Sequence, residues 1–137
     1  MAKNHCALKL RLSAAHRDIV KKLKFNLVLV TVPDPKTARA LARSVLSARL
    51  AACANLVSRI ESHYWWQGKL ETAAEVLIIF KTTTTCLRPL RQHILNRHPY
   101  DVPEFIAFSI SEGSRGYLNW LAESVSPRMG KSFRKSR

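Results

Sequence analysis

The sequence predicts an α+β domain whose elements run strand, helix, strand, strand, helix, strand, with one more helix at the end. Three observations predict it. Residues 53–82, CANLVSRIESHYWWQGKLETAAEVLIIFKT, read as a single β-hairpin of unusual length. Residues 25–32, FNLVLVTV, form the nearly continuous, β-branched apolar run that a buried central strand carries. Two stretches with helical spacing of apolar residues, one before the hairpin and one after it, supply the crossovers that this order needs.

The first strand stops at Pro33, and Asp34 then stands where a helix N-cap belongs, with Pro35 at the first helical position. Ala38, Leu41, Ala42, Val45 and Leu46 follow on one helical face, and the helix runs to near Leu50. In the hairpin the turn falls at Gln67, Gly68 and Lys69, where glycine permits the tight reversal. Strict alternation places Ala54, Leu56, Ile60, Tyr64 and Trp66 on one face of the outgoing arm. On the return arm it sets Leu70, Ala74, Val76, Ile78 and Phe80 against Lys69, Glu71, Glu75 and Lys81. Thr83 to Thr85 offer hydroxyl caps for a second helix, which tolerates Pro89 in its first turn and stops by His98 because Pro99 follows. Leu87, Leu90 and Ile94 form its buried stripe, with Arg88, Arg91 and Arg97 outside. Residues 104–111 read as the fourth strand, with Ile106, Phe108 and Ile110 on one face. Ser114 can cap a last helix that carries Tyr117, Leu118, Leu121 and Val125 and ends before Pro127. Right-handed crossovers around a central hairpin turn this order into a ferredoxin-like βαββαβ sandwich, one antiparallel sheet with its helices on one face and the C-terminal helix as an addition.

The length of the hairpin carries a further expectation. Each arm holds about 13 residues, or on the order of 40 Å at about 3.3 Å per residue, where strands usually hold about 5 or 6. So short a chain cannot cover both arms to their tips, and the tip carries Tyr64, Trp65 and Trp66. Large rings beside unpaired strand edges predict that the hairpin pairs with another copy of the chain. A hairpin bent back over its own domain is the alternative.

A chain of 137 residues with 47% hydrophobic and 8% aromatic content is one globular domain by size, and no apolar run approaches the roughly 18 residues that span a bilayer. The three cysteines, Cys6, Cys53 and Cys86, form no CxxC pair, which argues against a disulfide framework and a structural zinc site and fits a reducing compartment. Of the net charge of +14, residues 1–24 hold +6 and residues 127–137 hold +5, which leaves +3 for the domain at 25–126. The basicity therefore sits in an N-terminal extension and a C-terminal tail. Such arms are solvated ends, or docking arms for nucleic acid or an anionic membrane surface. The first segment has no apolar core of a secretory signal, and its Leu12, Ala15, Ile19, Val20 and Leu23 would form a basic amphipathic helix. The expected location is cytoplasmic, with an organelle as the alternative if that segment is a transit sequence.

Three segments together resemble the CutA family of divalent-cation-tolerance proteins: AACANLV at 51–57, YWWQGK at 64–69 followed by EVLIIFKT at 75–82, and HPYDVPE at 98–104 running into IAFSI. Their order and spacing make the resemblance specific, and it covers residues 25–125. The resemblance implies a homotrimer in which long hairpins extend each neighbour's sheet, a role in tolerance to copper and other divalent cations, and no enzymatic activity. Val30 and Arg97 stand where some bacterial members carry a cysteine and a histidine, and Ser58 where proline is common. With those two soft ligands missing, only weak metal binding is implied.

Candidate chemistry gathers at two places. His98, Asp101 and Glu104 bracket a turn stiffened by two prolines and offer nitrogen and oxygen ligands for a divalent ion, copper or another. Alternatively His98 caps the preceding helix and Glu104 joins an ion pair between subunits. Tyr64, Trp66 and Lys69 at the hairpin tip are candidates to close the same cleft from a neighbouring subunit around a small anion or metabolite, or simply to pack. Cys53 reads as a small buried hydrophobe before it reads as a ligand. No GxSxG, HExxH or glycine-rich phosphate loop is present, and the four glycines leave little scope for one. An acylphosphatase-like hydrolase shares the strand order, but the TVPDP end of the first strand lacks its arginine. The reading is therefore a trimeric metal- or ligand-binding protein and not an enzyme, with a scaffold docked through basic tails as the second.

Overall fold

The computed structural model describes residues 24–125, so the basic N-terminal stretch and the C-terminal tail lie outside the described residues. Strand β1 (Phe25–Val32), helix α1 (Pro35–Ser47), strands β2 (Cys53–Trp66) and β3 (Lys69–Thr83), helix α2 (Leu87–Leu95), strand β4 (Ile106–Ile110) and helix α3 (Arg115–Ser124) follow one another. The sheet order is β2-β3-β1-β4, and every pair is antiparallel. This is the ferredoxin-like arrangement that the order of elements predicts.

One face of the sheet builds the core. Val28, Val30 and Val32 of β1 and Val76, Ile78 and Phe80 of β3 are buried against Ala38, Leu41 and Val45 of α1 and Leu90 and Ile94 of α2. Asp34 caps α1 as expected: its carboxylate accepts from the Thr37 N–H at 2.7 Å and from the Thr37 hydroxyl at 3.0 Å. The helix ends earlier than expected, at Ser47. The N–H of Arg49 donates to the Leu46 carbonyl and that of Leu50 to Val45, the paired bonds of a Schellman motif with Arg49 in the left-handed region at φ 59°.

Other expectations change in detail. The threonines do not cap α2; a 3₁₀ turn at Thr84–Cys86 leads into it, and the Thr83 and Thr85 hydroxyls bond to each other. Ser114 gives α3 no side-chain cap; its carbonyl accepts from the Leu118 N–H. Helix α3 does not join α1 and α2 on their face of the sheet. Lys81, which points away from buried Phe80 and Thr82, sets its ammonium 5.5 Å from the centre of the Tyr117 ring, so α3 lies across the other face with Leu121 fully buried.

The hairpin departs most from the alternation. Its turn is two residues, Gln67 and Gly68, both at positive φ (49° and 77°), as a type I′ reversal requires; Lys69 already belongs to β3. Register runs Val57 opposite Leu77 but Ile60 opposite Glu75, so Ser58 and Arg59 together face Val76. This is a β-bulge, and Arg59 sits in the left-handed region at φ 57°. Side chains beyond it change sides. Ala54 and Leu56 face the helices with Ile78 and Phe80, whereas Ile60, Ser62, Tyr64 and Trp66 lie with Glu75 on the opposite, open face. The expectation of one face for Ala54 to Trp66 is thus wrong: a period-2 count cannot see an inserted residue.

β1 pairs with β3 only from Val76 onward, so residues 69–75 and their β2 partners project beyond the central strand. Trp65 is 74% exposed at the tip.

Candidate functional site

The projecting half of the hairpin and the loop before β4 enclose a cleft of about 930 Å³. Thr31, at the end of β1, and Glu75 form its floor; residues 61–66 of β2 make one wall and residues 99–104 the other. The bulge is what places Tyr64 and Trp66 here, because it turns them to the face where Thr31 and Glu75 sit.

A chain of hydrogen bonds fixes the loop to the sheet. The Nε2–H of His98 donates to the Thr31 carbonyl at 2.7 Å, and Nδ1 accepts from the Tyr100 N–H at 3.0 Å, so these bonds define a neutral tautomer with both nitrogens engaged. The rings of His98 and Tyr100 lie 4.9 Å apart. The Tyr100 hydroxyl then donates to Glu75 Oε2 at 3.0 Å. Burial, together with this bond and the charge of Glu75, pushes the phenol up to about 12.

Glu75 is 8% exposed, the only ionisable side chain buried to that degree among the described residues outside the cysteines. Its second oxygen has no hydrogen bond to a described residue. Glu104 stands near enough for the two charges to interact: burial first, and then the charge of Glu75, raises the Glu104 carboxyl above the usual range. Glu61 and Asp101 also line the cleft, so four of the nine acidic residues of the chain border it, and among the described residues no lysine or arginine does. At the rim Glu61 pairs with His63 at 3.2 Å, and the Thr72 hydroxyl holds the other nitrogen of that ring at 3.0 Å.

Of the residues singled out from the sequence, Asp101, Glu104, Tyr64 and Trp66 line this one cleft. Tyr64 and Trp66 reach it from the same chain, where a neighbouring subunit was expected to supply them. Lys69 does not line it; it is exposed beside the turn. His98 does not cap α2. It anchors the loop to β1, and both its nitrogens are occupied. Cys53 is half-buried, its thiol 3.5 Å from Asn55 Oδ1. Among the described residues no three His, Cys, Asp or Glu side chains gather into a group that could hold a metal ion as they stand. Sequence reading missed Glu75, Glu61 and Tyr100. The HPY triplet held a signal for the last of these, since a tyrosine fixed between prolines must point somewhere definite.

A family model described as CutA1 divalent ion tolerance protein matches residues 26–124. The chain belongs to the CutA1 family. The chloroplastic protein CutA 1 of rice (Oryza sativa) is 49% identical over 98 residues, which are 72% of this chain and 55% of that protein; the chain thus spans about half the length of this relative. The divalent-cation tolerance protein CutA of Thermus thermophilus is 44% identical over 100 residues, 73% of this chain and 97% of that one. Among solved structures, CutA1 from Oryza sativa superposes with a TM-score of 0.74 at 46% identity, covering 76% of this chain and 95% of its own. The CutA1 relation agrees with the ferredoxin-like fold described above and with the three motifs on which the resemblance rests. Proteins of the family carry names of tolerance and not of a catalysed reaction.

Proposed function

We propose that this chain serves in tolerance to divalent cations as a homotrimeric binding protein, without catalytic activity, and that it takes cations at the cleft between the hairpin and the 99–104 loop. The observation that carries the reading is that Glu61, Glu75, Asp101 and Glu104 all line one cleft, with no lysine or arginine in its lining among the described residues. Burial, and then the charge of Glu75, makes ionisation of Glu104 costly, and a positive charge between the two carboxylates offsets that cost.

The donor set is oxygen. It fits a hard divalent ion that keeps part of its water shell better than copper, which prefers imidazole and thiolate. His98 supports the site as the anchor of the loop and not as a ligand. The name of the rice relative, a chloroplastic protein, supports the organelle alternative for the location over the cytoplasm. No helix among the described residues is long and apolar enough to cross a membrane.

Calorimetric titration of the purified full-length protein with magnesium, manganese, zinc and copper tests the reading. Binding in the weak, millimolar to micromolar range is expected for a site of few carboxylates, and Glu104→Gln and Asp101→Asn should each weaken it by about tenfold. Equal affinity in the wild type and both variants would remove the cleft from the function.

A further inference from the structure

We propose that the cleft takes an aliphatic polyamine, a flexible chain bearing several protonated amines; this rests on the reading of the cleft as a cation site. Size is the first argument. A divalent ion with six waters fills roughly 200 Å³ at about 30 Å³ per water, whereas the cleft holds about 930 Å³. The space suits an organic ligand.

The walls are the second argument. Tyr64, Trp65, Trp66 and Tyr100 line the cleft, and an inorganic ion in its water shell gains little from four rings. Ammonium groups over ring faces and methylenes against ring edges gain from both. Third, the acceptors are distributed along the walls. Glu61 comes from β2, Glu75 from β3, and Asp101 and Glu104 from the loop, which matches several charges along one molecule. Glu75, more than nine-tenths buried, turns into the cleft with one oxygen held by Tyr100 and the other without a partner among the described residues. An N–H donor is what that oxygen lacks, so amines that carry hydrogens are selected over quaternary ammonium.

The test is calorimetry on the full-length assembly at constant ionic strength with spermidine, magnesium and tetramethylammonium, on the wild type, Glu75→Gln, Trp66→Leu and Trp66→Phe. Spermidine should bind at least tenfold more tightly than magnesium or tetramethylammonium. Glu75→Gln should weaken both spermidine and magnesium, Trp66→Leu should weaken spermidine alone, and Trp66→Phe should restore it, with circular dichroism confirming that each variant is folded. Magnesium binding that depends on Glu75, with spermidine no tighter, overturns the polyamine and leaves the cation site. Tetramethylammonium as tight as spermidine overturns the selection for N–H donors. If neither cation binds, the inference and the reading beneath it both fall.

Discussion

Glu75 stands where the fold gives its carboxyl little water and one neutral donor, the phenol of Tyr100. A buried carboxylate costs several kcal/mol unless it is paired and hydrogen-bonded, and one such bond returns about 1.5–3 kcal/mol. Glu104 adds a second negative charge nearby, and its carboxyl holds its proton to higher pH in the folded chain than in the unfolded one. The folded state then binds more protons than the unfolded state once the pH passes the ordinary value of 4.5. Stability therefore falls as the pH rises through the interval above that value, and the loss persists at neutral pH. Glu104→Gln removes the cost of burying that charge and, with it, the repulsion from Glu75. Its melting temperature should exceed that of the wild type at pH 7, by a few degrees at most because the group is partly in water and screened, and should match it near pH 4. Thermal melts at the two pH values measure this; a variant that melts lower at pH 7 would mean that Glu104 is held by a favourable contact instead.

At the scale of the element, one extra residue at Ser58–Arg59 decides what the hairpin can do. Removing one residue of the bulge restores simple alternation and returns Tyr64 and Trp66 to the helix side of the sheet, away from Thr31 and Glu75. Deletion of Arg59 should leave far-ultraviolet dichroism nearly unchanged and abolish cation binding at the cleft, with a shift in tryptophan emission as the tip rings change surroundings. Retained binding would show that the rings reach the cleft from either face. The same bulge marks the limit of what could be read beforehand. The β1 run, the Asp34-Pro35 start of α1, and the stripes of Leu41, Val45, Leu90 and Ile94 were legible because each is a local pattern with one physical cause. The burial of Glu75 was not, because it depends on which residue of β2 lies opposite and on where the 99–104 loop returns, both set by contacts far apart in sequence. His98 stands out in the sequence as a candidate ligand, whereas in the fold both its ring nitrogens are engaged in holding the loop. Its partner, the Thr31 carbonyl, lies 67 residues away and offers no side-chain signal.

For the whole molecule, apolar surface is distributed unevenly. Ile106 and Phe108, which lie opposite Leu29 and Leu27 on the open face, remain 44% and 50% exposed, and Val57 and Leu70 are exposed as well. Among the described residues β2 and β4 are the two edges of the sheet, and β2 holds 14 residues against five in β4, so a long row of backbone groups finds no partner among them. Apolar residues beside an open edge are what a second copy covers most economically, since one contact removes both the exposed rings and the unpaired amides. This is the physical support for the proposed homotrimer. Sedimentation at micromolar concentration should give the mass of three chains for the wild type, and Phe108→Asp should lower it by placing a charge in the apolar contact. Because each copy would then lose the cover of its neighbours, the variant should also expose Trp65 and Trp66 further to quenching by iodide. A wild type that sediments as a single chain at that concentration, with its tryptophans already fully open to quencher, would refute the assembly while leaving the cleft within each chain intact.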